Sequence, residues 1–229
     1  MKALAIDTTN NVLGIALIEE DKVIGEYITN LKKNHSVRAM PAIERLLSDC
    51  DVRPKELDKL VVATGPGSYT GVRIGVSIGK TMAWSLKIPI AGVSSLEVLA
   101  ANGRFFNGFI SPLFDARRGQ VYTGLYQYTQ QGLATIESDQ NLLLVDWLNM
   151  LKSKNEQVLF LGNDVAFHKE TIVDMLGERG QLGQVLINNP RPSELGFIGL
   201  RKEATDVHSL VPNYIRLAEA EAKWLEQQK

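Results

Sequence analysis

Asp7-Thr8-Thr9 ends a short apolar strand and begins a polar turn that runs to Asn11. A carboxylate followed by two hydroxyls at a strand end suits a nucleotide site. The acid would hold Mg²⁺ through water, and the hydroxyls and turn amides would meet phosphate oxygens. Asp7, Thr8 and Thr9 are therefore candidate nucleotide-binding residues. A small Mg-ATP-dependent kinase or ATPase using Asp7 is one reading of the chain. An acid in a turn is also an ordinary acceptor for its own backbone. In the second half Asp115 stands in a similar place, but Ala116-Arg117-Arg118-Gly119 puts arginines where a phosphate clamp would want glycine.

The second candidate is Thr64 to Trp84, TGPGSYTGVRIGVSIGKTMAW. A P-loop requires Gly-x-x-x-x-Gly-Lys-Ser/Thr. Gly79-Lys80-Thr81 supplies the end of that motif, but Ile74 stands where its first glycine belongs. The dinucleotide fingerprint Gly-x-Gly-x-x-Gly fails as well, because Gly65, Gly67 and Gly71 are spaced one residue too widely. What the stretch does contain is a stripe, Gly71, Gly75, Gly79 and Ala83, at helical four-residue spacing. Each helical glycine costs about 1 kcal/mol against alanine, so the stripe calls for close approach of another backbone. Gly65 and Gly67 shape the loop before it.

The remaining chemistries lack residues. His35 would need a second ligand one turn on, and position 39 is Ala39; His168 and His208 have no partner at such spacing. The spacing calls for no metal and no cofactor. Ser68 does not satisfy Gly-x-Ser-x-Gly, since position 70 is Thr70, and Cys50 reads as a small core residue. A two-metal nuclease using Asp7 and Glu44 would need a third acid after Leu60 to Ala63, where Thr64-Gly65 stands. No catalytic residue is assigned.

The elements that position these residues follow from periodicity. Lys2 to Asp7, Val12 to Glu19 and Val23 to Thr29 read as an antiparallel meander. A helix from His35 to Asp49 follows, with Pro41 predicting a kink or late start. Then come the strand Leu60 to Ala63, the glycine-striped helix, the strand Pro89 to Val93 and a helix to about Asn102. A second unit begins with the strand Gly108 to Phe114 and the strand Gln120 to Tyr128. LAID-TTNN-VLGIAL and PLFD-ARRG-QVYTGL share one plan, a weak internal duplication. The unit continues with helix Val145 to Leu151, strand Val158 to Leu161, helix Lys169 to Leu176, strand Gln184 to Ile187 and helix Glu194 to about Glu203. Ile215 to Gln227 reads as a closing helix. This order predicts two α/β lobes: 1–106, a smaller 107–211, and 212–229 closing onto the first.

With 229 residues, 45% hydrophobic and 22% charged, the composition is that of a globular protein, and a net charge of −1 argues against a broadly basic nucleic-acid footprint. Single Cys50 suits a reducing compartment, MKALAID has no signal-peptide core, and no run approaches the ~20 apolar residues that cross a bilayer. The expected location is the cytoplasm.

TGPGSYTGVRIG at Thr64 to Gly75 resembles the signature of the TsaB family, partner subunits in threonylcarbamoyladenosine synthesis on tRNA. The strand-Asp-Thr-Thr start, Asn34-His35-Ser36 before Met40-Pro41, Asp115-Ala116-Arg117, and Pro212 with Tyr214 and Arg216 resemble further family segments. The resemblance implies an actin, sugar-kinase and chaperone-ATPase fold (ribonuclease H-like), two-lobed, with a reduced second lobe. It implies a non-catalytic scaffold for TsaD, which adds the threonylcarbamoyl group to the adenosine beside the anticodon in tRNAs reading codons that begin with A. TsaD carries a His-x-x-x-His metal pair, of which His35 with Ala39 keeps half. A TsaE-like ATPase joins the pair, the chain alone is expected to form a homodimer, and tRNA contact is expected to be indirect or weak. The implied pairing uses the first two helices, which makes His35, Val37, Met40, Ile43, Val72, Arg73, Val76 and Lys80 the candidate partner-facing residues.

Overall fold

The computed structural model describes residues 1–215. The predicted closing helix, apart from Ile215, lies outside them.

The first strand, β1 (Ala3–Asp7), is buried along its whole length and forms the centre of a five-stranded sheet. It pairs antiparallel with β2 (Val12–Glu19), which pairs antiparallel with β3 (Lys22–Asn30). On its other side it pairs in parallel with β4 (Lys59–Ala63), and β4 with β5 (Ile90–Val93). The spatial order is β3-β2-β1-β4-β5. A strand buried on both faces reads as a continuous apolar run, and Ala3-Leu4-Ala5-Ile6 is one. One face carries α1 (His35–Asp49) and α2 (Tyr69–Leu86), whose inward residues join Leu4, Ile6, Leu13, Leu60 and Val62 in one core. Helix α1 runs through Pro41, which lies on its exposed side.

The second lobe repeats the plan. The strands β6 (Phe109–Asp115), β7 (Gln120–Thr129), β8 (Gly132–Leu143), β9 (Val158–Leu161) and β10 (Gly180–Leu182) stand in the order β8-β7-β6-β9-β10. The pairs β6–β7 and β7–β8 are antiparallel, and β6–β9 and β9–β10 are parallel. Helices α4 (Leu144–Lys154) and α5 (Val165–Leu176) cover one face around Trp147 and Phe160. The duplication seen in two short segments thus extends to the whole sheet order.

The third helix of each half crosses over. Helix α3 (Ser95–Ala100) follows the first sheet, yet Leu96, Leu99 and Ala100 pack with Ile110, Tyr126 and Leu159 of the second. Helix α6 (Pro192–Arg201) follows the second sheet and packs across the free face of the first, with Leu195 among Ala3, Ala5, Ala16, Ile18 and Val61. Arg104 donates to both carboxylate oxygens of Glu194 at 2.7 and 2.8 Å, and Lys202 to Glu97 at 2.6 Å. The predicted boundary at 211 therefore does not follow the packing, because 192–201 belongs with the first sheet.

Two other expectations give way. The stretch 129–144, for which periodicity predicts no element, contains the whole of β8, a half-exposed edge strand whose polar residues hide its period. Gln184 to Ile187 forms a 3-10 turn over Val185–Ile187 with Val185 and Leu186 outside, and the strand lies earlier, at β10.

Candidate functional site

The Asp7 turn is closed by the chain's own α2. Asp7 is only 2% exposed, and Thr8 and Thr9 are buried. One oxygen of Asp7 accepts from the Thr9 amide at 2.8 Å and the Thr9 hydroxyl at 2.7 Å; the other has no protein partner. Burial raises the Asp7 carboxyl above the ordinary range, against the Thr9 hydrogen bonds and the nearby His35. The Thr8 hydroxyl donates to the carbonyl of Gly71 at 2.6 Å, and the Ser68 amide donates to the carbonyl of Thr9 at 2.7 Å. Asp7, Thr8 and Thr9, expected to face a nucleotide, are engaged largely with the chain itself. Of the three, only Thr9 lines the cleft between the lobes, and the hydroxyls meant for phosphate are spent on the chain itself.

The glycine stripe explains how α2 comes so close. A Cβ on Gly71 would collide with the carbonyl oxygen of Thr8, one on Gly67 with that of Thr9, and one on Gly79 with Val62. On Gly75 it would meet the Thr8 hydroxyl at 2.6 Å. Gly65, with φ of +101°, turns the chain into the loop. The stripe therefore packs on the first sheet and its Asp7 turn, and the opposite face of α2 looks outward.

This division sorts the candidate partner residues. Val37 is 69% exposed, Met40 is 46% exposed, and Arg73 is also exposed, stacked over the Tyr69 ring at 5.3 Å. Ile43, Val72 and Val76 are corrected to core residues, since each is at most 3% exposed inside the cluster under α1 and α2. Lys80 is corrected to an internal clamp that donates to the carbonyls of His208 at 3.1 Å and Leu210 at 2.8 Å, holding the returning chain against α2. His35 is buried, with Nε2 2.7 Å from the Asn10 carbonyl and Nδ1 unpartnered. Ala39 is fully buried in the core. Trp84, which sequence reasoning left out, is exposed on the same outer side of α2 as Arg73. Its four-residue spacing from Lys80, Val76 and Val72 gave no sign of which side would face out.

A cleft of about 890 Å³ separates the lobes. Its first-lobe wall is the Asp7 turn, the loop of Lys32, Lys33 and Asn34, and the start of α2; its second-lobe wall is Asp115, Arg117, Tyr122 and the start of α5. The turn after β6 passes through Arg117, Arg118 and Gly119 with φ of 65°, 54° and 73°, three successive left-handed residues. Asp115 accepts from His168 at 3.1 Å, and its amide donates to Asp164 at 3.0 Å. Burial and the Asp115 charge raise the Asp164 carboxyl, with the Asp115 amide and His168 opposing. Tyr214 stacks on Tyr69 at a ring separation of 4.9 Å, so the last described residues close one end of the cleft. Among the described residues no group of three His, Cys, Asp or Glu could hold a metal ion, and no helix is long and apolar enough to cross a membrane.

The family model for TsaD, tRNA N6-adenosine threonylcarbamoyltransferase, matches residues 22–224. The tRNA threonylcarbamoyladenosine biosynthesis protein TsaB of Bacillus subtilis is 66% identical over 229 residues, all of both chains. The protein of that name from Escherichia coli is 33% identical over 135 residues, 58% of each chain. Among solved structures, an uncharacterized Pseudomonas aeruginosa protein described as similar to peptidase YeaZ superposes with a TM-score of 0.78 at 26% identity, covering 94% of this chain and 99% of that one. YeaZ from Pseudomonas aeruginosa has the same fold, with a TM-score of 0.76 at 24% identity over 93% and 99% of the chains. The two-lobed α/β fold, the glycine-striped α2 and the full-length identity agree, and this chain belongs to the TsaB family.

Proposed function

We propose that this chain is a partner subunit in threonylcarbamoyladenosine synthesis on tRNA, binding and supporting a TsaD-like catalyst without performing the transfer itself. The observation that carries the reading is the full-length 66% identity to a TsaB protein. The site geometry supports it. The turn that would serve an ATPase is filled by α2, and the half-pair His35 with Ala39 is buried. Helices α1 and α2 keep Val37, Met40 and Trp84 on the surface although an inward core is already complete. Unpaired apolar side chains on adjacent helices suit a helical partner. On this reading the TsaD-like chain docks across α1 and α2, a TsaE-like ATPase joins the pair, the same face forms a homodimer when the catalyst is absent, and the assembly works in the cytoplasm.

Co-expression with the TsaD-like chain of the same organism tests the proposal. A co-purifying complex is expected, and the double variant Val37→Glu, Met40→Glu should weaken it at least tenfold while thermal unfolding stays near that of the unaltered chain. No complex at micromolar concentrations, or a complex indifferent to the double variant, would overturn the docking face. ATP turnover by the isolated chain would restore the kinase or ATPase reading.

A further inference from the structure

The cleft between the lobes holds side chains that neither the docking face nor the core requires. Lys32 and Lys33 stand exposed on the loop before α1, and Arg117 stands exposed on the opposite wall. Between them, α2 points its N-terminal end at the cleft through Tyr69 and Thr70, where the helix carries partial positive charge. These groups together favour an anion.

The cleft also offers ring faces. Phe167, on the first turn of α5, is 77% exposed at the rim. Nothing in the second-lobe core uses it; the inward residues of α5 are Val165, Ile172 and Leu176. The Tyr69 and Tyr214 pair presents a second stacked surface. The acids present are engaged: Asp115 holds His168 and the Arg117 amide, and Asp164 accepts from the Asp115 amide. Cationic walls interleaved with exposed aromatic rings track a phosphate backbone and stack unpaired bases, and RNA is read mainly through such splayed single strands.

We propose that this cleft binds a single-stranded RNA segment, with phosphates toward Lys32, Lys33 and the start of α2 and a base stacked on Phe167. The inference rests on the reading that the chain serves tRNA modification, and it gives the chain an RNA contact of its own.

The test is fluorescence anisotropy of the full chain with a fluorescein-labelled 12-nucleotide RNA, its blunt duplex as competitor, and ATP as a second competitor. Binding of the single strand is expected, weakening as salt rises because phosphate contacts release counterions. Lys32→Glu with Lys33→Glu should lower affinity at least tenfold, Phe167→Ala about tenfold, and Lys152→Glu, a control on α4, not at all. The Phe167→Ala chain should still co-purify with the TsaD-like partner. Absence of single-strand binding at low salt, equal competition by duplex, displacement by equimolar ATP, or variants that bind as the unaltered chain does would each overturn the proposal. If the complex persists through those failures, the partner reading stands and only the RNA site falls.

Discussion

The two lobes share a sheet order and differ at the turn after the first strand. In the first lobe the turn is sealed: Thr8 bonds to Gly71, Thr9 to Ser68, and a helix with no side chains at the contact lies against both. In the second the turn is open: it passes through left-handed Arg117, Arg118 and Gly119, Arg117 lines the cleft, and α5 meets the turn through His168 and Asp164. One plan has been tightened in one copy for packing and left open to the cleft in the other. What decides the difference is the residue type on the helix. Glycines at 71 and 75 let the α2 backbone reach the turn, whereas the start of α5 meets its turn through the side chains of Asp164 and His168.

That contrast can be broken most severely at Gly71. Gly71→Val drives a branched side chain into the Thr8 carbonyl, and the overpacking should cost about 3 kcal/mol even after the better helix propensity is counted; urea unfolding of the full chain measures it. A smaller loss, about 1–2 kcal/mol, is expected for Thr8→Val, which keeps the shape but removes the buried donor to Gly71. In the open turn, Gly119→Ala has room, since a Cβ there meets only Leu143 at 4.0 Å, but φ of +73° should still cost about 1 kcal/mol. An unfolding midpoint that moved as far for Gly119→Ala as for Gly71→Val would erase the distinction between sealed and open.

The smallest effect is electrostatic. Burial raises the Asp7 carboxyl in the folded chain, so the native state keeps its proton to higher pH than the unfolded one. Stability from this group is therefore greatest below about pH 4, the ordinary carboxyl value, and declines as pH rises through the folded value. Asp7→Asn should remove that decline, so the variant gains on the unaltered chain as pH rises from 4. A difference between the two that is flat with pH would mean that the Asp7 pocket is wetter than its burial indicates.

The sequence revealed the sealed turn only in part. The four-residue glycine spacing demanded a close neighbour, but periodicity is blind to which neighbour. The same stripe would serve a second protein or the chain's own sheet, and Val72 and Val76 belong to the sheet side rather than to the expected partner side. Fully buried strands such as β1 and β9 were legible because both faces are apolar, while β8 was not, because its edge position leaves a polar run with no alternation. The cleft was the least legible part. Lys32, Arg117, Phe167 and Tyr214 lie in four separate segments, and only the lobe packing brings them together.

The exchange of α3 and α6 has a consequence for how the chain can be divided. Among the described residues each half lends its third helix to roof the other, so neither is a product that a shortened gene could deliver intact. A fragment ending after α3 would leave the sheet face under α6 bare, with Ala3, Ala5, Ile18 and Val61 open to water. Two fragments cut between Gly103 and Gly108 and produced together should find one another and restore the whole, which makes this linker the natural place for a split reporter.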